Sequence, residues 1–168
     1  RGRSVSRRGG KAWLFRMLRF WKPGAAMKIR PFENKDLDRC QEMTRSQDDY
    51  GEYARIPNYH FLVAEDESDR VAGFGAAHFW QWNRSSWIVD IYVDPAYRGK
   101  GYGQALIRAL SAAMKERGAR VLFERVPVNH PALAFYTRLG FTICGMNTKF
   151  FDAPVPERST ALTLSLDL

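Results

Sequence analysis

The stretch WIVDIYVDPAYRGKGYGQALI, residues 87–107, constrains this chain more than any other. Residues 85–93, SSWIVDIYV, are a nearly unbroken apolar run of the kind that forms a buried strand. A glycine-rich turn follows, and then a helix is expected from about Gly101 to Arg117. Leu106, Ile107, Leu110, Ala113 and Met114 fall on one face of that helix, and Gly118 stands where a left-handed cap would end it. RVLFERV, residues 120–126, reads as the next strand. The fold class is therefore α/β, with a β-α-β crossover at its centre.

The flanks extend this pattern. Met27 opens a short strand that Pro31 breaks, and a polar helix is expected from about Asn34, which can cap it. Residues 60–66 and 70–82 are strand-like and joined by an acidic turn, an antiparallel beginning. Pro131 starts a short helix with Ala132, Phe135, Tyr136 and Leu139 on one side, ended by Gly140. Two more strands close the chain, and 168 residues suit one compact domain.

Composition matters mainly for what it excludes. The net charge is +8, but eight of the 26 Lys and Arg fall in residues 1–26, which hold no acid. The remaining 18 balance the 18 Asp and Glu, so the body is neutral and nucleic-acid binding is not expected. We divide the chain into a basic N-terminal extension, 1–26, and a domain, 27–168. Three readings of the extension stay open: a leader or cloning-derived segment, a targeting peptide, or a basic amphipathic helix touching a membrane or partner through residues 11–22. Cys40 and Cys144 lie far apart without metal-ligand spacing, and are read as reduced thiols of a cytoplasmic protein. His60, His78 and His130 also lack metal spacing, and ordinary polar or capping roles are expected. No apolar run reaches the roughly 18 residues of a membrane span.

A strand feeding a glycine turn and a helix start can bind an anion, because the first amides of a helix lack partners and its dipole favours negative charge. Residues 98–103, RGKGYG, fit neither G-x-G-x-x-G nor the P-loop pattern. What remains is R-x-x-G-x-G: Arg98, Gly101 and Gly103. About thirty residues on, NHPALAFYTRLGF supplies Asn129, Ala132, Tyr136, Gly140 and Phe141. Together the two segments resemble the GNAT superfamily of N-acetyltransferases, and the resemblance covers most of residues 27–168.

That resemblance implies a twisted, mostly antiparallel mixed sheet of six or seven strands with about four helices. It implies that the strands at 87–93 and 120–126 splay apart and admit acetyl-CoA. The pantetheine arm would bond to the backbone of Ile91 and Val93. The pyrophosphate would sit on Arg98, Gly99, Lys100, Gly101, Tyr102 and Gly103. Asn129 would bind the arm, and Tyr136 would point at the thioester sulfur.

Acetyl transfer to an amine needs a base, a stabilised oxyanion and a proton for the departing thiolate. Tyr136 is the candidate acid, since a phenol is protonated at neutral pH. Two carboxylates compete as base. Glu124 lies twelve residues before Tyr136, a spacing similar to that in acetyltransferases of ribosomal-protein N-termini, and alternation puts it among Leu122 and Val126. Asp90 interrupts the apolar strand near where polyamine-type members carry an acid.

The acceptor is expected to be a primary amine, on a small molecule or a peptide N-terminus. Asp48, Asp49 and Glu52 could receive a cation, and Trp80, Trp82, Trp87 and Tyr92 could form an aromatic wall. A non-catalytic acyl-CoA sensor or partner-binding module on the same fold is the alternative. Monomer and homodimer both remain open.

Overall fold

The computed structural model describes residues 27–45, 50–151 and 159–168. The basic extension, Asp48 and Asp49 lie outside them. Seven strands form one sheet in the order β1-β2-β3-β4-β5-β7-β6. They are β1 (Lys28–Pro31), β2 (Tyr59–Glu65), β3 (Val71–Trp80), β4 (Ser85–Val93), β5 (Val121–Pro127), β6 (Thr142–Asn147) and β7 (Ala161–Asp167). Four α-helices accompany them: α1 (Leu37–Thr44), α2 (Tyr50–Tyr53), α3 (Tyr102–Glu116) and α4 (Ala132–Arg138). Every neighbouring pair is antiparallel except β4 and β5.

Three elements depart from expectation at their edges. A 3-10 turn over Asn34–Asp36 precedes α1, and Glu33 rather than Asn34 caps it. Glu33 and Asp36 exchange side-chain and backbone bonds there, which satisfies two end amides at once. The expected strand 70–82 stops at Trp80, and Trp82 stands 83% exposed in the hairpin turn. Tyr50–Tyr53, with its central glycine, forms one helical turn that the sequence pattern did not announce.

Helix α3 packs across one face of the sheet. Tyr102, Leu106, Ile107, Leu110, Ala113 and Met114 are all buried. They meet Leu62, Ala64, Ala77, Leu122 and Val126 in the larger core cluster. Burying each large aliphatic chain contributes on the order of 1.5–3 kcal/mol. Two glycines of β3 stand where a side chain would crowd its neighbours, Gly75 beneath the helix and Gly73 against β4. A Cβ on Gly75 would stand 3.1 Å from Leu110 Cδ1, and one on Gly73 would stand 2.7 Å from the Tyr92 carbonyl oxygen. The opposite face packs a second cluster, with Cys40 and Met43 of α1 against Phe61, Val63, Phe74 and Ala76. Both cysteines are free thiols, Cys40 buried and Cys144 exposed.

The joint between β4 and β5 positions everything that follows. Only Ser85–Val121, Ser86–Leu122 and Trp87–Phe123 pair. Ser86 Oγ donates to the Val121 carbonyl at 2.9 Å in the interior, clasping the joint. Past Trp87 the strands part. A bulge at Val89 adds to this: Ala77 pairs with Ile88 but Ala76 with Asp90, so one β4 residue has no partner on β3. β4 then follows β3, while β5 follows β7 along its whole length.

Candidate active site

The parting of β4 and β5 opens a cleft of about 580 Å³. Ile91 and Val93 line one side, Ala132, Phe135 and Tyr136 of α4 with Leu139 just past it the other, and the turn from Tyr97 to Gln104, without Lys100, one end. The turn is held from outside. Asp94 accepts from the Ala96 amide at 2.9 Å and pairs with Arg39 of α1. Tyr97 donates to Asp66 at 2.6 Å. Gly99 and Gly101 have φ of +75° and +92°, a backbone that side chains other than glycine strain to adopt.

This turn has the makings of an anion site. Gly101 caps α3 with no side chain, and no acidic residue stands in the first turn. The amides of Tyr102, Gly103 and Gln104 therefore lack intrahelical acceptors. Arg98 donates from Nε to the Val93 carbonyl at 3.0 Å, and Lys100 lies over the Tyr97 ring. Both cations thus stand by the turn. A pyrophosphate fits this donor set, and an extended amide chain fits the open edge of Ile91 and Val93.

Tyr136 lines the cleft, and Glu124, which stands outside the lining, adjoins its phenol. Glu124 shares a strand face with Leu122 and Val126, both core residues. Its Oε1 accepts from the Arg125 amide at 2.8 Å, while Oε2 is buried without a well-formed hydrogen bond. The neighbouring Tyr136 phenol interacts with it. Burial pushes the Glu124 carboxyl up to about 8, opposed by its two hydrogen-bonding neighbours and reinforced by the charge of Asp90. Tyr136 is 3% exposed, and burial, followed by the Glu124 charge, raises its phenol well above the usual range.

Asp90 pairs with Ala76 on the other face of the sheet, among residues of the second core cluster. Its charge still reaches both Glu124 and Tyr136 through the gap. Asn129 takes φ +65° at the third position of a turn in which the His130 amide donates to Pro127. It is exposed and stands outside the cleft lining. His130 Nδ1 accepts from the Ala132 amide at the start of α4, a capping role. Glu52 is exposed on α2. Of the expected aromatic wall, Trp87 and Tyr92 lie on the face opposite Glu124, Trp87 stacked on Phe123 at 4.8 Å. Among the described residues no His, Cys, Asp and Glu cluster could hold a metal.

One feature was not legible in sequence. Arg125 places its guanidinium 3.9 Å from the centre of the Trp87 ring and 4.6 Å from that of Phe150. Phe150 lies 25 residues downstream and reaches this spot only because β6 and β7 return beside β5.

Comparison with known proteins gives the family and the fold. The sequence profile of the Acetyltransferase (GNAT) family matches residues 29–141. The chain is 38% identical over 106 residues to a streptothricin acetyltransferase of Streptomyces lavendulae, across 62% of this chain and 56% of that relative's length. The structure of a nourseothricin acetyltransferase superposes with a TM-score of 0.71 at 27% identity, covering 84% of this chain and 98% of that one. A Bacillus anthracis chain solved in complex with acetyl coenzyme A shares the fold at TM-score 0.73 and 24% identity, covering 86% and 98%.

Proposed function

The chain belongs to the Acetyltransferase (GNAT) family, whose members use acetyl-CoA, and from that premise we propose that it transfers an acetyl group to a primary amine with Glu124 as base and Tyr136 as acid. The single observation that carries this reading is the buried Glu124–Tyr136 pair where β4 and β5 part. Acetyl-CoA supplies an activated acyl group whose leaving group is a thiolate. The remaining work falls to side chains and amides of this chain.

The amides of Tyr102, Gly103 and Gln104, with Arg98 and Lys100, hold the pyrophosphate. The edge of Ile91 and Val93 orients the arm. An ammonium cannot attack, so a proton must leave the acceptor before or as its nitrogen reaches the carbonyl. Glu124 takes that proton. A carboxylate held at a pKa of about 8 is a far better proton acceptor near neutrality than an ordinary one. As the carbon–sulfur bond breaks, Tyr136 donates its phenolic proton to the sulfur. Asp90 tunes the pair by its charge, raising the proton affinity of both.

Release of free CoA, followed with acetyl-CoA and a panel of amines, tests the proposal. Tyr136→Phe is expected to lower kcat by about 10²–10⁴-fold with acetyl-CoA affinity unchanged. Saturable CoA binding without turnover on any amine would favour a sensing module instead. Glu124→Gln is expected to remove the acidic limb of the pH–rate profile. If Asp90→Asn removes that limb and Glu124→Gln does not, the base is Asp90.

A further inference from the structure

Resting on the acetyltransferase reading above, we infer that Arg125 is a specificity residue and that the acceptor amine carries a carboxylate. Arg125 follows Glu124 on β5, so its side chain leaves the opposite face of the sheet. That face is free of the donor cleft, which is lined by Ile91, Val93 and Tyr136 on the Glu124 side. The face of Trp87, Phe123 and Arg125, opposite the donor cleft, is the side we assign to the acceptor amine.

The environment of Arg125 defines what it can bind. Its guanidinium carbon lies over the rings of both Trp87 and Phe150. Stacking of this kind fixes the plane and leaves only the N–H groups along its edge for partners. Among the described residues no carboxylate forms an ion pair with it. Two arginines of the domain are instead tied to acids, Arg30 to Asp36 and Glu65, and Arg39 to Glu42 and Asp94. Arg125 is thus oriented, exposed and unpaired with any described acid, beside the route to the base. A planar edge of N–H donors matches a carboxylate in a two-pronged contact. An acceptor with its amine at Glu124 and its carboxylate at Arg125 would use both faces of one strand. A polycationic amine would instead meet like charge at this point.

The test is CoA release from wild type, Arg125→Gln and Arg125→Lys, each given α- and ω-amino acids, their amides, diamines of matched length, and peptides. Wild type should prefer acids to their amides by about tenfold or more in kcat/KM. Arg125→Gln should erase that preference by raising KM for the acids, with kcat within about threefold and amide rates unchanged. Arg125→Lys should keep part of it. Equal use of acids and amides by wild type, or equal loss on both in Arg125→Gln, overturns the inference and leaves the acetyltransferase reading standing. No turnover on any amine removes both.

Discussion

At the scale of single residues, Glu124 is a group the fold tolerates at a cost. Its carboxyl titrates near 8 in the folded protein because burial disfavours the charge. In the unfolded chain it ionises at the ordinary 4.5. The folded state therefore holds a proton that the unfolded state has already released. The resulting penalty is absent below about pH 4.5, grows as pH rises through that interval, and is complete above about 8. Glutamine cannot ionise. Glu124→Gln is expected to raise the melting temperature by a few degrees at pH 8, corresponding to about 1–3 kcal/mol, and to change it little at pH 4. Thermal unfolding of both proteins across that range checks this; a variant no more stable at pH 8 than wild type would contradict it. The family resemblance of the sequence pointed to Tyr136 and Glu124, and strand alternation gave Glu124 its face. It could not choose between Glu124 and Asp90, because alternation assigns a face but not a depth. Nor could it reveal Arg125, whose significance depends on a ring delivered from the far end of the sheet.

At the scale of elements, two glycines of β3 do different work. Both lie where a side chain would collide, but with unlike obstacles. Gly75 faces the flexible tip of Leu110, 3.1 Å from a hypothetical Cβ. Gly73 faces the backbone carbonyl of Tyr92 at 2.7 Å. A leucine tip can turn aside, whereas a strand carbonyl moves only with its strand. Gly75→Ala is expected to cost about 1 kcal/mol and leave acetyl-CoA affinity intact. Gly73→Ala is expected to cost about 3 kcal/mol or more and to weaken acetyl-CoA binding, because Tyr92 sits between the cleft residues Ile91 and Val93. Denaturant titration with a CoA-binding isotherm separates the two, and equal effects on affinity would refute the distinction. The long elements were readable because their periodicity was strong: β4 spans the predicted residues 85–93, and α3 lies within one residue of expectation at each end. The capped turn before α1 was misread because Glu33 and Asp36 bond reciprocally, a pairing that outcompetes the lone cap expected at Asn34.

At the scale of the whole molecule, charge and topology set the limits. Arg30 on β1 binds both oxygens of Asp36 at 2.7 Å and also Glu65 of β2 at 2.7 Å, where Lys28 adds a fourth charge. Burial alone would push Asp36 and Glu65 up, but Arg30 holds both below the usual carboxylate range. Their contribution is present above the unfolded carboxylate range and lost as pH falls through the folded values. Arg30→Leu removes the buried partner of Asp36, leaves Glu65 with Lys28 alone, and is expected to cost about 3–5 kcal/mol at pH 7. Part of the loss should return near pH 4, where the stranded groups can protonate; a deficit independent of pH would argue against this account. The sheet joint has a consequence of a different kind. Strands β1–β4 pair among themselves, as do β5–β7, and three residue pairs with the Ser86 clasp join the two sets. Three is the fewest pairs between any two neighbouring strands of this sheet, so the joint adds little to an early folding nucleus. Removing the clasp with Ser86→Ala should therefore quicken unfolding and leave the refolding rate nearly unchanged, which stopped-flow chevrons would reveal. In kinetic terms, the gap between β4 and β5 is then the expected seam at which the folded chain opens early.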